Sequence, residues 1–181
     1  MTRDATDVLH FWFDELTEKD WFGGGPDLDA RIKERFAATH AAVASGETFA
    51  WRATAEGRLA EVIVLDQFSR NIFRGTGKAF AFDAIALVLA QEAVARGADQ
   101  ELQGPRRTFL YMPYMHSESL VVHEEAMRLF TALGDENVMK YERAHLAVIR
   151  QFGRYPRRNA PLGRESTPEE LDYMKNNKGP F

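Results

Sequence analysis

The stretch Thr54-Ala55-Glu56-Gly57-Arg58-Leu59-Ala60-Glu61-Val62-Ile63-Val64-Leu65 decides the fold class. Its apolar run, Leu59-Ala60 with Val62 to Leu65, has the density of a buried strand. Periodicity alone does not separate a short buried strand from a buried helix. The surroundings settle it. Thr54 stands where a helix N-cap would stand. No hairpin signal lies nearby, and the flanking segments repeat their apolar residues at helical spacing. The run is therefore read as helix, and the chain as all-α.

On the N-terminal side, Val8, Leu9, Trp12, Phe13 and Leu16 form an amphipathic stripe, and Gly23-Gly24-Gly25-Pro26 interrupts it. Asp27 or Asp29 is placed to cap a second helix carrying Ile32, Phe36, His40 and Val43. On the C-terminal side, Gly75-Thr76-Gly77 predicts a turn. The helix after it is apolar nearly all round, from Phe80 to Val94, and is expected to be central. Pro105 fits the first turn of the next helix, which Pro113 should end or kink. Ser117 is expected to cap a helix closed by Gly134, and Asp135 the one after it. Thr167-Pro168-Glu169-Glu170 orders a cap, a first-turn proline and a capping-box glutamate. This gives about eight helices in one domain over residues 1–181, with no linker.

Composition narrows the function classes. The 181 residues are 45% hydrophobic and 28% charged, with a net charge of −4. This is an ordinary globular composition, and it argues against a uniformly basic nucleic-acid surface. The chain has no cysteine, which excludes disulfides, thiolate zinc sites and Cys nucleophiles. No apolar stretch is long enough for a membrane span, and the first residues do not resemble a secretory signal. A cytoplasmic location is expected by elimination. There is no G-x-S-x-G. Gly23-Gly24-Gly25 lacks the Lys-Ser/Thr of a phosphate loop. His116 and His123 lie two helical turns apart, a long reach for one metal. Neither a metal nor a cofactor is expected.

Two segments echo each other. Gln67-Phe68-Ser69-Arg70-Asn71-Ile72-Phe73-Arg74 shares Gln, Phe and two Arg, at the same spacing, with Gln151-Phe152-Gly153-Arg154-Tyr155-Pro156-Arg157-Arg158. The helix pairs between them fit the period of helical-hairpin repeats, about 34 to 47 residues. The expected architecture is a right-handed stack of helical hairpins. Each echo carries guanidinium, whose planar fork matches carboxylate or phosphate oxygens. If the two segments meet, Gln67, Arg70, Asn71, Arg74, Arg154, Arg158 and Arg164 would form an anion site. Equally, these arginines are read as fold-fixing partners of acids such as Asp66, Asp83, Glu118, Glu165 and Glu169. In Met115-His116-Ser117-Glu118, His116 with Glu118 or Asp66 has the groups for acid–base chemistry. The plainer reading is a capped helix start with a histidine beside it.

These segments, with Val8-Leu9-His10-Phe11-Trp12-Phe13 and Leu162-Gly163-Arg164-Glu165-Ser166-Thr167-Pro168-Glu169-Glu170, resemble the bacterial domain-of-unknown-function family 924, described as tetratricopeptide-like. The resemblance runs from end to end in matching order. It implies an all-α fold of stacked hairpins and carries no activity. The family usually has His at the position of Arg157 and Gln at that of His123. Three functions compete. The first is binding of an anionic small molecule or acidic peptide end through the arginines. The second is a hydrolase or lyase using His116. The third is a protein-interaction module. Whether the chain is an enzyme stays open, and neither nucleic acid nor membrane is expected as a partner.

Overall fold

The computed structural model describes residues 1–177 and Gly179. The stretch that decided the fold class is helical. The Thr54 hydroxyl accepts the Gly57 N–H at 3.0 Å and starts α4 (Ala55–Ile63). Every residue from Leu59 to Leu65 is buried. A Cβ at Gly57 would stand 1.9 Å from the Trp51 carbonyl oxygen, so this close approach requires glycine. All described residues are helix, turn or irregular, and none is in a β-strand. No helix among them is long and apolar enough to cross a membrane.

The chain divides into two compact units, Met1–Arg74 with Lys78–Pro113, and Gly75–Gly77 with Tyr114–Phe181. The division falls inside a helix rather than at a linker.

In the first unit, α1 (Ala5–His10) opens on a reciprocal Asp4/Asp7 capping box. It runs on as a π-helical turn, Phe11–Glu15. Helix α2 (Glu18–Gly23) follows, then α3 (Pro26–Ala44), which starts on Gly25 and Pro26. Asp27 and Asp29 lie in its first turn and do not cap it. Beyond α4, a second π-helical turn, Val64–Phe68, leads into α5 (Ser69–Ile72). Phe11, Phe36 and Phe68 pack together, with ring centroids 4.9 to 6.1 Å apart, and Trp12 closes on Phe68 and Phe109.

Helix α6 (Asp83–Ala95) corrects an expectation. Its inward residues are Ala86, Ala90 and Ala93, while Ile85 and Val88 are 46% and 60% exposed. It packs on α4, but a central helix would bury its large side chains. The near-continuous apolarity conceals that alanines face the core.

Helix α7 (Pro105–Met115) begins at its proline as expected, yet runs through Pro113 for two more residues. In the second unit, α8 (Leu120–Leu133) starts at Ser119, not Ser117. Gly134 ends it at φ 75°, and Asp135 caps α9 (Glu136–Phe152), accepting the Asn137 and Val138 N–H groups. Helices α8 and α9 pack as a hairpin. A 3₁₀ turn, Pro156–Arg158, precedes α10 (Pro168–Asn176), whose Thr167/Glu170 capping box is the one read from sequence.

Candidate functional site

The first echoed segment lies on the second π-helical turn and α5, in the first unit. Single π turns inside helices occur often at functional sites. Asp66 is buried and accepts the Gln67 amide at 2.5 Å. Arg70 reaches back to the Asp66 carbonyl oxygen and forks onto the Asp83 carboxylate with two 3.0 Å bonds. Arg74 forks onto Asp29 at 2.5 and 2.8 Å, and the Asn71 amide donates to the same carboxylate at 2.8 Å. Burial works against ionisation of Asp29, but the donors from Arg74 and Asn71 outweigh it and hold its pKa below the usual value. Beneath this network, His40 Nε2 lies 2.8 Å from the buried Ser69 hydroxyl. Burial, with the charge of Lys78, pushes His40 down to about 4.

The second echoed segment belongs to the second unit and has a different backbone. Gly153 is left-handed at φ 69°, so the segment leaves α9 at the position where Ser69 continues helically at φ −57°. Arg154 forks onto Glu170 at 2.6 and 2.9 Å and donates to the Glu165 carbonyl oxygen. With the Thr167 N–H and the Asn159 amide also donating, Glu170 is held down at about 2, Arg154 contributing most. Arg157 donates to the carbonyl oxygens of Met174 and Asn177, tying down the end of α10. Arg158 lies over the Tyr155 ring, 4.6 Å from its centroid, and donates to the His116 carbonyl oxygen at 3.0 Å. Arg164 forks onto Glu118 at 2.7 and 2.9 Å, and also donates to Asn159 Oδ1 and the Tyr155 carbonyl oxygen.

Glu118 also accepts the Tyr155 N–H at 2.7 Å. It lies outside any helix rather than in a first turn. Burial opposes its ionisation, yet the Arg164 fork and the Tyr155 N–H keep its pKa below the ordinary range. His116 is half-buried, with its ring 6.2 Å from that of His145. Burial lowers His145 to about 3, the charges of His116 and Arg158 adding to it.

The site residues read from sequence are thus distributed as two sets. Asp66, Gln67, Arg70, Asn71 and Arg74 are gathered in the first unit. His116, Glu118, Arg154, Arg158 and Arg164 are gathered in the second. In both, carboxylates of the chain meet the guanidinium forks. Sequence reasoning named Asp66, Asp83 and Glu118 as partners but missed Asp29 and Glu170. Those two looked like helix-start residues, which they also are. It also missed the buried pair of His123 and Glu142, 2.7 Å apart. No group of three or more His, Asp or Glu among the described residues is arranged to hold a metal ion. A shallow cleft of about 550 Å³ beside α10 is lined by Gln151, Glu169, Asp172, Tyr173 and Asn176, and by no arginine.

A solved structure of a protein of unknown function from Agrobacterium tumefaciens is similar, with 36% identity and a TM-score of 0.90 over 96% of this chain and 97% of that one. None of the curated proteins compared matches the chain. The sequence profile described as "Bacterial protein of unknown function (DUF924)" matches residues 8–178. The chain belongs to that family.

Proposed function

We propose that the protein is an interaction domain, built of helical hairpins in the tetratricopeptide manner, that receives a helix of another polypeptide along the outward face of α6. One observation carries this reading, the inverted packing of that helix. Ala86, Ala90 and Ala93 face inward, while Ile85 and Val88 stand in solvent. Ala84, Gln91 and Ala95 extend the exposed strip, and Glu92, paired with Arg58 and Arg96, borders it. Small neighbours let a second helix approach closely. Covering the exposed parts of Ile85 and Val88 would contribute about 1 kcal/mol each.

The competing readings face an added cost. An anionic metabolite or acidic peptide end held by Arg70, Arg74, Arg154 or Arg164 would displace Asp83, Asp29, Glu170 or Glu118 from bidentate bonds. For Arg158 it would have to fit beside the His116 carbonyl oxygen and the Tyr155 ring. A hydrolase or lyase would use His116 as acid or base, for which its half-burial is suitable. Neither of these explains why α6 is inverted.

A photo-crosslinking residue at Val88 tests the proposal. In bacterial cells producing the chain, irradiation should join position 88 to a polypeptide, while the same group at exposed Lys140 should not. Equal crosslinking at both positions, or none at 88, overturns the reading.

A further inference from the structure

The hydrogen bonds around His123 fix where its protons lie. His123 on α8 and Glu142 on α9 have fully buried side chains, with Nδ1 2.7 Å from Oε1. His123 Nε2 faces the Ser117 carbonyl oxygen at 3.0 Å. A carbonyl oxygen only accepts, so Nε2 carries a hydrogen. The Tyr155 hydroxyl donates its proton to the Met115 carbonyl oxygen at 2.6 Å. It therefore meets Nε2, 3.2 Å away, as a second acceptor.

One proton is left to occupy the contact between Nδ1 and Oε1. It belongs either to Glu142, opposite a neutral imidazole, or to His123, as an imidazolium opposite a carboxylate. The pair has no net charge in either form. The other carboxyl oxygen, Glu142 Oε2, is buried with no hydrogen-bond partner among the described residues. In a carboxylate, that oxygen would hold half of a buried negative charge with no donor facing it. In a carboxylic acid it is a carbonyl oxygen, whose unmet bond costs far less.

We infer that Glu142 is a neutral carboxylic acid donating its proton to Nδ1 of His123, so that a single-proton, zero-charge latch holds α8 to α9. Burial raises the pKa of Glu142 in the same sense, against the opposing pull of His123. The other titratable or charged groups around the latch are Tyr155, His145, His116 and Arg158. Burial holds His145 neutral, at about 3, against the opposing hydrogen bond to the Tyr141 carbonyl oxygen. Arg158 is engaged over the Tyr155 ring and at the His116 carbonyl oxygen. The latch thus has a defined proton count. Removing the shared proton leaves a buried anion, and adding a second leaves a buried cation, so either change loosens the α8–α9 hairpin.

Nitrogen-15 spectra of the intact wild-type chain at neutral pH test this directly. His123 should show one protonated nitrogen, Nε2, and one unprotonated acceptor, Nδ1. The Glu142 carboxyl carbon should show the acid form and no titration between about pH 5 and 8, a range that spans ordinary imidazole titration and in which an ordinary carboxyl is already mostly ionised. In Glu142→Gln the amide replaces the acid O–H as donor to Nδ1. The melting temperature should stay within about 4 °C of wild type, a shift worth about 1 kcal/mol at this size, while Glu142→Ala falls well below it. An imidazolium with both nitrogens protonated, a carboxylate carbon shift, or a Gln variant as unstable as the Ala variant overturns the assignment.

Discussion

Replacing Arg164 by Ala asks whether the arginines build the fold or wait for a guest. The side chains of Arg164 and Glu118 are each 25% exposed. The substitution removes two charge-assisted bonds to Glu118, one to Asn159 Oδ1 and one to the Tyr155 carbonyl oxygen. Glu118 keeps only the Tyr155 N–H among these donors, and fully buried Asn159 loses the partner of its oxygen. Breaking a fully buried pair costs about 3 to 5 kcal/mol, and an exposed pair contributes about 0 to 1. Water reaches a quarter of each side chain, so the intermediate expectation is about 2 to 3 kcal/mol. For a chain of this size, that lowers the melting temperature by about 5 to 10 °C. Arg164→Lys keeps the charge but loses the fork, and should recover less than half of the loss. The assay is thermal unfolding of purified protein in a buffer free of multivalent anions. An arginine reserved for a ligand behaves in the opposite way, because its removal relieves strain and leaves stability unchanged or higher. A melt for Arg164→Ala within about 1 °C of wild type would refute the structural reading and return the anion site to first place.

Three further outcomes follow from the same geometry. Folding lowers the pKa of His40 from 6.5 to about 4 and that of His145 from 6.5 to about 3, so the unfolded chain binds more protons below neutrality. Each ring should therefore remove about 1.4 kcal/mol per pH unit as pH falls below about 6.5, ending near the two folded values. Urea unfolding at constant ionic strength checks this, and a flat profile from about pH 6.5 to 5 would contradict it. Glu170, held at about 2 mainly by Arg154, is the usual acidic case, and its stabilisation is present above the unfolded value of 4.5 and lost as pH drops towards 2. Glu170→Gln should thus lower the melting temperature clearly more than Glu169→Gln next to it, and equal effects would deny Glu170 its central place in the loop. Thr167→Ala removes the hydroxyl that accepts the Glu170 N–H and should cost about 1 kcal/mol, read by denaturant titration.

Local chemistry made much of the fold legible. Thr54, Asp135 and Thr167 cap their helices because each signal acts within three residues of itself. Gly134 ends α8 because a left-handed residue is cheapest as glycine. The errors came where a distant contact overrode a local preference. Pro113 was expected to end or kink α7, and the helix does not end there but continues to Met115. Ser117 looked like a cap, yet its carbonyl oxygen serves His123 and the helix begins after Ser119. Apolarity placed α6 at the centre, whereas the side-chain sizes on its two faces show which one packs. The π-helical turns left no pattern in the sequence, since an extra residue in a helical turn shifts the stripe without breaking it.

The echoed segments show why residue identity alone did not yield the site. Both carry Gln, Phe and two arginines at equal spacing, but the third position is Ser in one and Gly in the other. Ser69 has no reason to leave the right-handed helical region, so Arg70 stays helical and its guanidinium reaches the Asp66 carbonyl oxygen four residues behind it, as well as Asp83. Gly153 takes φ 69°, the chain leaves the helix, and Arg154 then points from an irregular segment to Glu170, sixteen residues ahead. The change at the third position therefore accompanies a change of backbone, and only Arg70 reaches back within its own helix as well as ahead to a carboxylate. The guanidinium supplies a fork and a charge, but the backbone conformation one residue earlier decides which carboxylate receives them. Each arginine in these segments has to be assigned a role from the acceptor it reaches, and the Arg164 and Glu170 substitutions test that assignment separately from any ligand.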